Sequence, residues 1–358
     1  MKSRTRSLVG RRVLATAAVL VLTAAACGGN DDDDADSVAS TAVSAATTAA
    51  TTAATTGATT GATDGGDAPA AGEGISLAVN PWTGSAVNAH VAKVVLEAEG
   101  TPVELVDIDE NATWPGLAAG DLDAVLEVWP SGHVDDYETY ITGEGTVIDL
   151  GELGPVAKIG WYVPSYVMEE YPQLATWEGL MDPEVAGIFA TAETGDNGQF
   201  LMGDPSYVSY DEQIIANLGL PLQFVVAGSE AAEITAVQQA VEAEEPLLFY
   251  FWQPHWLHSQ LDLSEIALPE VTEECNASAA AGDGAYACDY PPDVLYKAAS
   301  AGLEEKNPAA FAVLQKFQLT IEQQNEIAAL VDSDGMTPTE AAQTWVDANP
   351  DIVAAWTA

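Results

Sequence analysis

After Arg12 this chain contains no arginine. Its basic residues from there on are Lys93, Lys158, Lys297, Lys306 and Lys316, set against 55 Asp and Glu in a 358-residue chain of formal charge −45. That balance excludes nucleic-acid binding, which needs Lys and Arg to displace condensed counterions. It also excludes holding a phosphate or carboxylate with a guanidinium fork. Cysteine is scarce: only Cys27, Cys275 and Cys288, with no CxxC pair. There is no phosphate loop and no G-x-S-x-G elbow. Past the first 26 residues no stretch is long and apolar enough to span a bilayer, which takes about 20 residues. Four histidines leave little for a metal site, and His255-Trp-Leu-His258 lacks the intervening helical Glu of a zinc motif. What is abundant is apolar surface, at 48% of residues with nine tryptophans, so a sizeable core forms. The length fits one large or two ordinary domains.

The amino terminus reads as an address. Lys2, Arg4, Arg6, Arg11 and Arg12 precede an apolar stretch from Val13 to Ala26, the pattern of a secretory signal over residues 1–26. The Arg11-Arg12 pair leaves both the general and the twin-arginine export routes open. Leu22-Thr-Ala-Ala-Ala-Cys27 resembles a bacterial lipoprotein box, although Ala24 stands where Leu is usual. Cys27 is therefore the expected lipidation site, with ordinary cleavage nearby as the plainer alternative. Residues 27–74 are rich in Ala, Thr, Asp and Gly without apolar periodicity, the composition of a tether. Such a coil spans roughly 35–40 Å root-mean-square.

From residue 75 strands and helices alternate. Ile75–Val79, Pro102–Ile108, Leu122–Trp129, Lys158–Val163, Leu222–Val226 and Leu247–Trp252 read as strands. Ser85–Glu99, Asp211–Leu218 and Glu230–Glu244 read as helices, Gly100 and Gly219 stopping the first two. Thr320-Ile-Glu-Gln323 and Thr337-Pro-Thr-Glu340 are capping boxes. The grammar predicts an α/β protein of mainly parallel sheet in two lobes. The expected lobes are 75–155, 156–250 and a return to the first lobe over 251–358. Cys275 and Cys288 enclose 12 residues, and in an exported protein the simplest reading is a disulfide worth about 3 kcal/mol, the alternative being two free thiols.

Trp82, Trp129 and Trp252 each sit at or just past the carboxyl end of a predicted strand, where open α/β sheets bind ligands. Any one of them alone is more often a core aromatic; three at equivalent topological places are not. Trp161 and Tyr162 lie on a fourth strand, where a period of two lets only one face a cleft. Trp114 opens a helix or turn before Gly116. Trp177, Trp345 and Trp356 read as structural. An aromatic cage without arginine suits a quaternary ammonium, which has no N–H to donate and binds ring faces at about 2 kcal/mol per desolvated contact. Three rings supply on the order of 6 kcal/mol of the about 8 kcal/mol a micromolar complex requires. The rest is expected from the ligand's other end. Free amides near Gly84 and Ser85, at a helix amino terminus, and His255 are candidates for holding a carboxylate.

At these residues the sequence resembles a known family, the substrate-binding proteins of ABC importers for glycine betaine, proline betaine, carnitine and choline. The pieces are "VNPWTGSAVNAHVAKVVLE" (79–97), "TWPGLAAGDLDAVLEVWPSGH" (113–133), "KIGWYVPSYV" (158–167), "GDPSY" (203–207), "DEQIIANLGL" (211–220) and "FYFWQPHW" (249–256). The resemblance implies a two-lobed periplasmic-binding-protein-like (type II) fold, hinged and closing on one ligand. It implies a cage of Trp82, Trp129 and Trp252, a carboxylate held by His255 and backbone amides, and less central places for Trp114, Trp161 and Tyr162. Gly84 stands where choline-preferring relatives tend to carry an acid, which favours a betaine over choline. The implied protein is a monomeric, non-enzymatic osmoprotectant receptor without cofactors, lipid-anchored outside the cytoplasmic membrane and docking on a permease.

Choline or carnitine binding within the same family is the alternative ligand reading. An exported lipoprotein hydrolase is the alternative class, resting on Ser131, His133 and Asp135, which are neighbours in sequence rather than a triad in space. A surface adhesion protein needs extended repeats, and none is present. The acidity reads as a solvated surface suited to salty surroundings, or equally as lineage-wide composition.

Overall fold

The structure, a computed structural model, describes residues 73–358. The expected signal peptide, Cys27 and the tether up to residue 72 lie outside the described residues. Glu73 leads into the first strand, its carbonyl accepting from Asn307 Nδ2 at 2.7 Å.

Nine strands are described: β1 (Ile75–Val79), β2 (Val103–Asp107), β3 (Ala124–Val128), β4 (Val147–Pro164), β5 (Gly198–Met202), β6 (Leu222–Val226), β7 (Phe249–Gln253), β8 (Leu263–Ile266) and β9 (Asp293–Ser300). They order β2-β1-β3-β9-β4-β7-β5-β6, with β8 also on β4. β1 pairs parallel with β2 and β3, and β5 pairs parallel with β6 and β7, as strand–helix alternation requires. The centre departs from a mainly parallel sheet. β4 and β9 run antiparallel to their neighbours, and β4 is one 18-residue strand shared by the two halves of the sheet. Its first part, Val147–Ala157, pairs with β9; its last part, Lys158–Pro164, pairs with β7 and β8. The sheet thus has two halves sharing one strand, and β9 is the strand that brings the chain back to β3.

Local chemistry sets the elements. Helix α1 (Thr83–Ala98) buries Val87, Val91, Ala92, Val95 and Leu96 at helical spacing. It starts two residues earlier than Ser85, with Trp82 in extended conformation at the cap. Both capping boxes form: Thr320 and Gln323 exchange bonds of 2.8 and 3.3 Å, Thr337 and Glu340 of 3.0 and 3.3 Å. Buried Lys297 of β9 donates to the carbonyls of Leu314, Gln315 and Phe317 at the end of the Pro308–Lys316 helix. Burial brings its pKa down to about 8. Cys275 and Cys288 form a disulfide, with Cα atoms 6.3 Å apart. Among the described residues no helix is long and apolar enough to cross a membrane.

Candidate functional site

Trp82 lies three residues beyond the end of β1, Trp129 directly follows β3, and Trp252 is the penultimate residue of β7. All three line one cavity, together with Tyr207, Tyr250, Ile159 and Glu110. Its volume, counted as space open to the centre of a water molecule, is about 30 Å³. Tyr207 meets both Trp82 and Trp252 edge to face, and Tyr250 is tilted against Trp252. Tyr207 stands 6.0 Å from Trp82 and 5.8 Å from Trp252, and Tyr250 stands 6.0 Å from Trp252. Tyr207 is fixed by its hydroxyl, which donates to the Pro81 carbonyl at 3.1 Å. Burial holds the hydroxyl pKa of both tyrosines well up, so they stay neutral.

Beneath the cage sits Glu127, the one acid in the wholly buried strand β3. Its Oε1 accepts from Trp82 Nε1 at 2.7 Å and Trp129 Nε1 at 3.0 Å. Its Oε2 accepts from Asn88 Nδ2 at 2.7 Å and Gln324 Nε2 at 2.6 Å. Four donors on one carboxylate lock both indoles. Burial pushes the Glu127 pKa up to about 7, the indole and amide hydrogen bonds restraining the rise and the charge of Glu230 adding to it.

Glu230 joins the two sheet halves. From the Glu230–Ala243 helix, its Oε2 accepts from Thr83 N at 2.7 Å and Thr83 Oγ1 at 2.8 Å, at the start of α1. Its Oε1 meets His255 Nε2 at 3.2 Å. Glu230, His255 and Asp332 bring one potential metal-ligand atom each within 4.8 Å of one another. Thr83 and Trp256 already donate to the same carboxylates.

Gly84 and His255 line a small adjoining cavity with Glu127, Trp129 and Trp252, and the other sequence-predicted residues fall elsewhere. A Cβ on Gly84 would lie 2.9 and 3.1 Å from the Glu127 oxygens, so its bareness is what lets Glu127 approach. The Ser85 hydroxyl accepts from Asn80 N at 3.0 Å, closing the turn before α1. His255 touches Trp252 edge-on at 5.5 Å, but its Nε2 faces Glu230 and its Nδ1 accepts from Leu257 N. Trp114, inside α2 (Glu110–Ala119), belongs to a separate small core and stacks on Tyr140 at 6.3 Å. Trp161 and Tyr162 both stay out of the cavity lining. Trp161 pairs across from Tyr250 and so shares the cavity's face of the sheet, but it lies beneath, donating to Asp211 at 2.6 Å and packed on Phe200. Tyr162 takes the opposite face, against Phe249 and His258. His258 faces the Trp252 carbonyl, so the two histidines of H-x-x-H do not converge.

Ser131, His133 and Asp135 form no relay. Ser131 donates to Asp293 at 2.6 Å, and His133 bridges Glu110 at 2.8 Å and Asp136 at 2.9 Å. Burial alone would lower the His133 pKa, but its two carboxylate partners outweigh that and raise it to about 9.

Sequence reasoning missed Tyr207, Tyr250, Glu110, Glu127 and Glu230. Tyr250 was signalled by its i, i+2 relation to Trp252, and Glu127 by being a lone acid in an apolar strand. Tyr207 sits on a loop and carried no periodic signal.

The sequence profile of the substrate-binding domain of ABC-type glycine betaine transport systems matches residues 73–348. The chain belongs to this family. Members are the solute-binding components of ABC importers, which act outside the cytoplasmic membrane together with a permease. The trimethylamine N-oxide-binding protein of Pelagibacter ubique is 29% identical over 290 residues, covering 79% of this chain and 89% of that protein. Lactococcal OpuAC, closed on glycine betaine, superposes with a TM-score of 0.63 at 21% identity, over 80% of this chain and all of that one. An ABC-transporter choline-binding protein in complex with choline gives 0.62 at 19% identity, over 80% and 91%. These two likenesses establish the periplasmic-binding-protein-like fold.

Proposed function

We propose that this importer component captures a small methylated ammonium solute in the cavity between Trp82, Trp129, Trp252, Tyr207 and Tyr250. The observation that carries the reading is that three tryptophans from β-strand ends far apart in sequence line a single narrow space. Ring faces suit a cation that cannot donate hydrogen bonds, and nearby carboxylates, Glu110 and Glu127, favour positive charge there. The relatives named above bind trimethylamine N-oxide, glycine betaine and choline, all of them trimethylated at nitrogen. The lobes are the two sheet halves, with the first crossing inside β4 and the return at β9. Closure between them seals the ligand. The protein binds and releases its solute unchanged, as a monomer held to the membrane through Cys27.

Calorimetry on the full chain with glycine betaine, choline, carnitine and trimethylamine N-oxide tests the reading. One-site saturable binding of a methylated amine, with the amine recovered unaltered, is the expected result. No binding of any of them, or turnover of one, contradicts it.

A further inference from the structure

In a cage of this kind the trimethylammonium head is common to many solutes, so the groups around the rings decide which tail is accepted. A tail carrying a carboxylate needs donors close to the cage, and two are offered at its edge, by Thr83, which follows Trp82, and by His255, which lines a small adjoining cavity with Trp129 and Trp252. In this protein both already face a side chain of the chain itself. The Glu230 carboxylate holds Thr83 N at 2.7 Å and Thr83 Oγ1 at 2.8 Å, and meets His255 Nε2 at 3.2 Å. Thr83 directly follows the cage residue Trp82, and the His255 ring lies 5.5 Å from that of Trp252, so both positions border the cage. On the other flank of the same first turn, Gly84 lies against the Glu127 carboxylate, with room for no atom between them. Glu230 is only 5% exposed, so little water screens it.

We infer that Glu230 stands in for the ligand's carboxylate and makes the site select methylated amines that carry no carboxylate of their own. The inference rests on the cage reading proposed above and names the substrate class of that same site. Two effects act together. The space and donors are taken, so a ligand carboxylate displaces Glu230 or leaves itself unpaired. Glu127 and Glu230 also repel an anionic tail while attracting the cationic head. Glu230 has a second consequence. Its helix and α1 belong to different halves of the sheet, so the protein's own carboxylate ties the halves together where a zwitterionic ligand would otherwise have to do so. A ligand consisting of the methylated head alone is then enough to fill the closed site.

The test compares choline and glycine betaine, which share the trimethylammonium head and differ in ending in a hydroxyl or a carboxylate. Tetramethylammonium serves as the head alone. Affinities are measured by calorimetry on the full chain and on its Glu230→Gln and Glu230→Ala variants. In the native protein choline is expected to bind at least tenfold more tightly than glycine betaine, and tetramethylammonium to bind measurably. In either variant the ratio is expected to move at least tenfold toward glycine betaine. Glycine betaine binding as tightly as choline in the native protein, or an unmoved ratio in a folded variant, overturns the role of Glu230. If tetramethylammonium binds in that case, the aromatic cage stands without it. If none of the three ligands binds, the cage reading itself falls and this inference with it. The native comparison decides the matter even if both variants fail to fold.

Discussion

Replacing Glu127 by Gln separates two things its carboxylate does at the cage. One is position: Oε1 holds the Trp82 and Trp129 indoles, and Oε2 holds Asn88 and Gln324. The other is charge. A glutamine keeps one carbonyl for the two indoles, while its amide lies where Asn88 Nδ2 and Gln324 Nε2 now donate, so both of those amides turn their oxygens toward it, Asn88 with an Oδ1 that has no other partner. The indole bonds are retained and the charge is lost. A carboxylate one indole width from a bound cation attracts it by about 2 kcal/mol at an effective dielectric of about 20. Removing that attraction weakens binding of tetramethylammonium by roughly 30-fold. The pH dependence follows from the Glu127 pKa, raised from the ordinary carboxylate value to about 7 in the folded protein. Because the folded value lies above the unfolded one, stability from this group is fully present below the ordinary carboxylate range and is lost as pH rises through about 7. A bound cation favours the charged form of Glu127. Affinity thus rises with pH up to about 7, levels off above it, and is accompanied by proton release below it. Calorimetry with tetramethylammonium from pH 5 to 8.5, in two buffers of different ionisation enthalpy, reads both quantities. Equal affinity of native and Glu127→Gln protein at pH 8, or the same pH profile in both, refutes the reasoning.

Three other perturbations sort binding from folding. Gly84→Ala places a methyl 2.9 Å from a Glu127 oxygen held by four donors, so ligand affinity falls several-fold or more in calorimetry and the melting temperature falls with it. Trp161→Phe removes the 2.6 Å bond to buried Asp211 and lowers the melting temperature by several degrees, whereas the dissociation constant stays within about twofold, because Trp161 lies beneath the cavity. Cys275→Ser with Cys288→Ser opens a bridge across 13 positions; it costs about 3 kcal/mol by denaturant titration and leaves ligand affinity unchanged.

The elements most legible in the sequence were those fixed by local chemistry. Ile75–Val79, Asp211–Leu218 and Leu222–Val226 coincide with the expected segments, and both capping boxes were readable from four residues each. The first half of β4 was not readable. Gly151 and Gly154 have positive φ there, Pro155 follows, and register shifts interrupt the pairing with β9, so no alternation survives. That missed stretch is what turns an expected mainly parallel sheet into a mixed one. At the site, Trp82, Trp129 and Trp252 were legible because a strand's carboxyl end is a topological place visible in one dimension. Glu230 was not. An acid in the first turn of a helix is ordinary dipole chemistry, and nothing local tells that it reaches Thr83, 147 residues away in sequence. The roles expected of Gly84, Ser85 and His255 concern a carboxylate arriving with the ligand; what the sequence did not signal is that Glu230 already meets Thr83 and His255.

The most direct test of the cage uses tetramethylammonium, which has a methylated nitrogen and nothing else to bind. Its dissociation constant is measured by calorimetry for the native chain and for Trp82→Ala, Trp129→Ala and Trp252→Ala. Saturable binding to the native chain, weakened at least tenfold in each variant, or about 1.4 kcal/mol per ring lost, is the predicted result. Absence of binding, or an affinity unchanged by removing any one of the three indoles from a folded protein, contradicts it.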